Sequence, residues 1–308
     1  MIAHIALALS LVVTAPAVQA DLSLPGTGMT YQERSGDPVR LTAYGLGTKG
    51  AYLRTGDRFA RQRALSEAAF SPDGRTVAGV PRAYRAGHDS LLLTDRATGK
   101  TRRVRTVKKP LTASYVSWSR DSRRVALTVE KKSGGRWRPA GFTVVDVAAG
   151  SARTVTVAGL GAEAGFWWTP GGNLVTRHGT GLRVHRASDG KVVRTLPGAG
   201  LPTGPEDSFS PSGDRMALWC PSRFAGQVCL ADTATGRVAR RVPVEPEAVF
   251  GWWDESHLIA VMAHRGAYRL AVVGLDGRVS RVLAAVPTRT WGSDLWLSFT
   301  RAAPGPQR

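Results

Sequence analysis

Short apolar runs separated by turns cover most of this chain. They occupy residues 76–80, 125–129, 174–176, 216–219 and 258–262. None is long enough for an ordinary helix, and most are rich in strand-favouring residues. Each run follows an aromatic residue, a small polar residue and a turn. The segments are Phe70-Ser71-Pro72-Asp73-Gly74, Trp118-Ser119-Arg120-Asp121-Ser122, Trp168-Thr169-Pro170-Gly171-Gly172, Phe209-Ser210-Pro211-Ser212-Gly213 and Trp253-Asp254-Glu255-Ser256-His257. A second turn lies further along each unit: Asp95 to Gly99, Asp146 to Gly150 and Asp232 to Gly236, with weaker copies at 186–190 and 275–277. Asp closes such turns and Gly takes positive φ. Each unit therefore holds four short strands, a to d, with the first turn joining a to b and the second joining c to d.

A four-stranded unit repeated about every 45 residues is a propeller blade. The pattern predicts an all-β propeller. Five full units span residues 68–287, and strand-like stretches remain at both ends: 39–44, 51–55 and 58–65, then Trp291 and 295–299. Joined as one composite blade they close the ring and leave no open edge around it. Six blades are expected, with seven as the alternative. The repeated aromatics read as packing that fills the wedge between neighbouring sheets.

The Ser71-Pro72-Asp73-Gly74 turn after an aromatic, with Asp-x-Ala-Thr-Gly downstream, resembles the TolB-like, WD-repeat-like β-propellers of exported bacterial proteins. The resemblance covers residues 38–300. It implies the fold and little about activity, since propellers host many functions. TolB carries a further N-terminal α/β domain for which there is no room here, so a role in the Tol system is not implied.

The ends set the expected compartment. Residues 1–20 contain no Lys, Arg, Asp or Glu, are apolar from 5 to 13, and end in Val18-Gln19-Ala20. This reads as a signal peptide cleaved after Ala20; retained, it has about the minimum length of a membrane anchor. A lead-in at 21–37, the propeller at 38–300 and a loose tail at 301–308 follow. Cys220 and Cys229 flank a plausible hairpin tip, and pairing about that tip sets them opposite each other, within disulfide reach. An oxidising compartment favours the bond.

Charge adds one question. The chain carries 42 Lys and Arg against 23 Asp and Glu, a net +19. The densest basic cluster includes Arg102, Arg103, Arg105, Lys108 and Lys109. It reads as a solvated, aggregation-resistant edge or as a patch for anionic polymer or lipid head groups. Nucleic acid is disfavoured by export and by the lack of a binding motif.

Candidate chemistry gathers on one face. The a–b and c–d turns are short and regular, whereas the b–c and d–a loops are longer and irregular, the usual setting for recognition. The b–c loops hold His88, Asp89, Trp137, His178, Arg223 and His264. The d–a loops hold Glu67, Glu163, Glu206, Asp207 and Glu247, which could ring the mouth of the central channel. No nucleophile elbow, zinc motif, phosphate loop or dinucleotide fingerprint is present. No catalytic residue, metal or cofactor is assigned. The sequence reads as an exported, monomeric, non-catalytic propeller binding a protein or cell-envelope component. The alternative is a hydrolase or lyase acting on a surface glycan or small lactone at the channel mouth.

Overall fold

The computed structural model describes residues 19–47, 50–203, 207–221 and 224–301. The leader up to residue 18, the tail from 302, Glu206 and Arg223 lie outside the described residues. Among those described, six four-stranded antiparallel sheets form a β-propeller around a central cavity. Blade 1 is composite. Its innermost strand a, Leu295–Arg301, pairs with Val39–Leu46, and Ala51–Thr55 and Arg58–Gln62 complete it. Blade 2 uses Leu65–Phe70, Thr76–Pro81, His88–Asp95 and Thr101–Lys108; blade 3 uses Leu111–Trp118, Arg124–Ser133, Arg136–Asp146 and Ser151–Thr156. Blade 4 uses Trp167–Trp168, Leu174–His178, Gly181–His185 and Val192–Leu196; blade 5 uses Leu201–Pro202, Arg215–Trp219, Val228–Asp232 and Val238–Val242. Blade 6 uses Ala248–Asp254, His257–His264, Ala267–Gly274 and Val279–Val286.

The turns work as their residues dictate. In blade 2 the Ser71 hydroxyl donates to Asp73 (2.6 Å) and accepts from the Thr76 amide (2.9 Å), while Gly74 sits at φ +70°. Blade 3 repeats this with Ser119 and Asp121, and Ser122 takes the glycine's position at φ +60°. In the c–d turns Asp95 and Asp232 each accept from a threonine hydroxyl and amide three residues on. Those threonine bonds hold both carboxyls below the usual carboxylate range.

The aromatic anchors join blade to blade. The indole Nε1 of Trp118 donates to Ala69 O (3.1 Å), that of Trp168 to Ser117 O (3.0 Å) and that of Trp252 to Ser208 O (2.9 Å). The blade 6 anchor is thus Trp252 and not Trp253. Bulges on either side of Trp252 shift the register by one, and Trp253 instead enters a cluster with blade 1 and the N-terminal hairpin. Trp291, expected in a strand, lies in the helical turn Thr288–Trp291 that leads into strand a of blade 1.

A second inter-blade device comes from arginines on the outermost strands. Arg102 of blade 2 donates to Val147 O and Ala148 O in the c–d turn of blade 3. Arg153 of blade 3 reaches Ser188 O in blade 4, and Arg194 of blade 4 reaches Thr233 O and Ala234 O in blade 5. A planar fork of donors suits paired carbonyls, which a lysine ammonium matches less well. Part of the arginine excess is therefore scaffolding.

Residues 19–34 form a hairpin, Gln19–Leu24 with Met29–Arg34, against the outer strands of blades 6 and 1. Leu22, Leu24, Met29 and Tyr31 are buried there. Arg54 forks onto Glu33, and Arg281 bonds Asp37 (2.6 Å) and Gln32 O. Cys220 and Cys229 are bonded, with Cα atoms 4.9 Å apart. They are not ladder partners, because Cys229 pairs with Leu218. Cys220 lies just beyond the strand and before Pro221, so the bridge joins the b–c loop of blade 5 to its strand c.

Candidate functional site

The innermost strands enclose a cavity of about 690 Å³ on the propeller axis. Aromatic rings make up a large share of its wall, among them Tyr115, Trp118, Trp167, Phe250, Trp291 and Trp296. These rings come from blades 1, 3, 4 and 6 and from the helical turn leading into blade 1, so no short segment of sequence contains the site. Trp296 fits only because residue 45 on the paired strand is glycine; a Cβ there would overlap the indole.

At the d–a end the cavity holds Glu67. Its carboxylate accepts the amides of Tyr115 (2.7 Å) and Val116, both on strand a of blade 3. Those amides lie in a bulge between Ser114 and Ser117, where Tyr115 adopts φ +62°. A large non-glycine residue at positive φ is strained and needs support from its surroundings. Glu67 supplies that support, and the result is a tyrosine side chain left 51% exposed at the cavity. Burial pushes the Glu67 carboxyl up to about 7, opposed by the two amides.

At the a–b end arginines tie blade to blade. Arg120 donates from Nε to Asp207 (2.9 Å), from Nη1 to Pro211 O, and from Nη2 to Phe209 O and Ser210 O. It thereby spans from blade 3 to blade 5. Arg301 donates to Trp252 O and Trp253 O. Within the cavity, the positive groups are matched by backbone carbonyls and one carboxylate.

Of the acids read from the d–a loops, Glu67 and Asp207 line the cavity, at its two ends. Glu163 is exposed and pairs with Arg177. Glu247 is exposed, and its amide bonds Val261 O. Asp89 is buried and accepts the Thr112 hydroxyl and Ala113 amide (both 2.9 Å), joining blade 2 to blade 3. His88 sits beside Ala86 O, and His178 Nε2 lies 2.6 Å from an Arg183 guanidinium nitrogen. Trp137 is exposed at the tip of the b–c hairpin of blade 3, and His264 at that of blade 6. Among the basic cluster, Arg102 is a clasp, Arg103 bonds the Ser90 hydroxyl, Lys109 lies over the Tyr84 ring, and Arg105 and Lys108 are exposed. Among the described residues no three His, Cys, Asp or Glu side chains form a metal site.

Tyr115, Phe250 and Trp296 were not singled out from sequence. Their signal is a second aromatic in or near strand a, apart from the repeated anchor, as Trp167 stands beside Trp168 and Phe250 two before Trp252.

No family model matches the sequence, and no curated protein matches it. Among solved structures, an oligogalacturonate lyase in complex with manganese is similar with a TM-score of 0.55 and 13% identity, covering 87% of this chain and 84% of that one. A protein of unknown function from Bacteroides caccae gives 0.53 and 11% identity, covering 85% and 100%. A putative TolB from Agrobacterium tumefaciens gives 0.49 and 14% identity, covering 86% and 99%. The likeness is one of fold. The propeller implied by the TolB-like, WD-repeat-like turns is the architecture observed, with six blades and a ring closed by both chain ends.

Proposed function

We propose that the protein is an exported, non-catalytic binding module that takes an uncharged, flat-faced group of a protein or envelope partner into its central cavity. The reading rests on Tyr115. A strained backbone position, held by the Glu67 carboxylate, presents a large ring to the cavity that Trp291 and Trp296 also line. Pockets with a few aromatic walls and sparse polar groups are the usual seat of binding energy. An uncharged ligand is favoured because the Glu67 carboxylate is held by two amides and Arg120 is paired with Asp207. Entry is from the Glu67 end, the face of the irregular loops. The apolar leader and the Cys220–Cys229 bond support export.

The test is capture from the cell envelope, then affinity measurement with the purified partner. Tyr115→Ala combined with Trp296→Ala is expected to weaken binding at least tenfold, about 1.4 kcal/mol or more. Unchanged affinity would reject the cavity as the site.

One observation favours the enzymatic alternative. A carboxyl titrating near neutrality inside a cavity is a plausible general acid or base. Against it, both Glu67 oxygens accept backbone amides, Asp207 is engaged by Arg120 at the other end, and no histidine lines the cavity among the described residues. Glycan or lactone turnover that Glu67→Gln abolishes, with binding retained, would favour the hydrolase or lyase.

A further inference from the structure

The basic cluster of blade 2 continues around the rim. The outermost strands of blades 2, 3, 4 and 5 each carry at least one arginine, and none carries Asp or Glu. Arg102, Arg153, Arg194 and Arg240 are exposed on successive blades. The acids of the same blades, such as Asp95 and Asp232, sit in the c–d turns with their carboxylates bonded inside the turn. The arc ends where the N-terminal hairpin covers blades 6 and 1 with Glu33 and Asp37.

We propose that this arc binds a flexible linear polyanion laid along the rim of the propeller. Three features carry it. First, Arg102, Arg153 and Arg194 are held in place by neutral carbonyls of the next blade. The bonds themselves supply no counter-charge, although Asp232 in the clasped turn acts on Arg194, and the arginines' ordering is already complete before a ligand arrives, which lowers the cost of binding. Second, guanidinium forks match phosphate, carboxylate or sulfate groups, whereas simple edge protection needs only charge and is served by lysine. Third, the surface is convex. A domain of this length has a radius of gyration of about 19 Å. A flat lipid surface would touch only a short stretch of such a rim, and duplex DNA, with a persistence length of about 50 nm, follows it only at high bending cost. A flexible chain of repeating anions can reach all four blades.

Long-chain inorganic polyphosphate is the probe, titrated into the intact protein over a range of salt. The expected result is tight binding whose logarithm falls steeply with the logarithm of salt, as for released counterions. Tripolyphosphate, too short to span blades, is expected to bind at least about tenfold more weakly at each salt concentration. Two variants use exposed residues outside the clasps: Arg105→Gln with Lys108→Gln in blade 2, and Arg240→Gln in blade 5. Each is expected to lower affinity and to reduce the salt slope by roughly one per charge removed, with unchanged melting midpoints. A flat salt dependence, equal binding of tripolyphosphate, or loss only with the blade 2 variant would overturn the arc. So would tighter binding to phosphatidylglycerol vesicles or to a short DNA duplex than to polyphosphate.

Discussion

In blade 2 the innermost strand, Leu65–Phe70, carries Glu67 and the anchor Phe70, while the outermost, Thr101–Lys108, carries three arginines and a lysine. The inner strand faces a cavity where every charge needs a partner, because an unpaired buried charge is costly. Its partners come from far along the chain: Glu67 from blade 3, Asp207 from Arg120 two blades away. The outer strand faces water, where charge is tolerated, and its arginines reach no further than the next blade: Arg102 bonds blade 3 and Arg103 the Ser90 hydroxyl of its own blade. The centre therefore depends on the whole ring being closed, and the rim depends on one neighbour at a time. Every prediction below tests that division.

The largest effect is expected at closure. Removing the chain after Val286 deletes strand a of blade 1 and exposes the edge of Val39–Leu46. The expected outcome is loss of the cooperative melt of the whole domain. A truncated protein that stays soluble and melts like the full chain would show that the composite blade is dispensable.

Trp168→Ala comes next. Trp168 is only 5% exposed, donates to Ser117 O and lies under the Arg124 guanidinium at 4.5 Å. Its loss is expected to cost about 3–5 kcal/mol, read as a shift in urea midpoint. Trp118→Ala is expected to cost less, since Trp118 is half-buried and its cavity already exists.

Glu67 should give a pH signature. Its carboxyl is raised in the folded protein to about 7, so its contribution to stability is fully present below the ordinary carboxylate range and is lost as pH rises through 7. The full difference is at most about 3 kcal/mol. Glu67→Gln removes this titration, so the variant should gain on the wild type in melting midpoint between pH 5 and pH 8. A constant gap would show that the carboxyl titrates normally. Of similar size, Cys220→Ser with Cys229→Ser should cost about 2–3 kcal/mol, given the short loop closed.

How much could be read from sequence follows the same division. The turns were legible because their chemistry is local: Ser71, Asp73 and Gly74 bond each other and their immediate neighbours. Blade count, ring closure and the disulfide followed from them. The anchor of blade 6 was misplaced by one because its bulges leave no mark in the residue pattern. The cysteine pair was legible, but its register was not, since the chain leaves the strand before Pro221. Tyr115, Trp296 and the Arg120–Asp207 pair were hidden, because only the closed ring brings separate blades together. The arginine clasps were hidden for a milder reason, a repeated contact whose two halves lie about one blade apart.

The smallest effects belong to single clasps. Arg153→Lys keeps the charge but loses the single Nη1 hydrogen bond to Ser188 O, at an exposed site. The cost should be under about 1 kcal/mol, and combining it with Arg102→Lys and Arg194→Lys should be close to additive, because the three contacts are separate. Strong non-additivity would mean that the rim, like the centre, acts as one unit.

The central claim, that the protein or envelope partner is held in the cavity and not on the rim, is tested most directly by photo-crosslinking. Tyr115→p-benzoylphenylalanine places the probe at the cavity wall, and Val193→p-benzoylphenylalanine places it on the exposed outer strand of blade 4. Irradiation with the captured partner should give adducts from position 115 and none from position 193. Adducts from 193 with none from 115 would contradict the account.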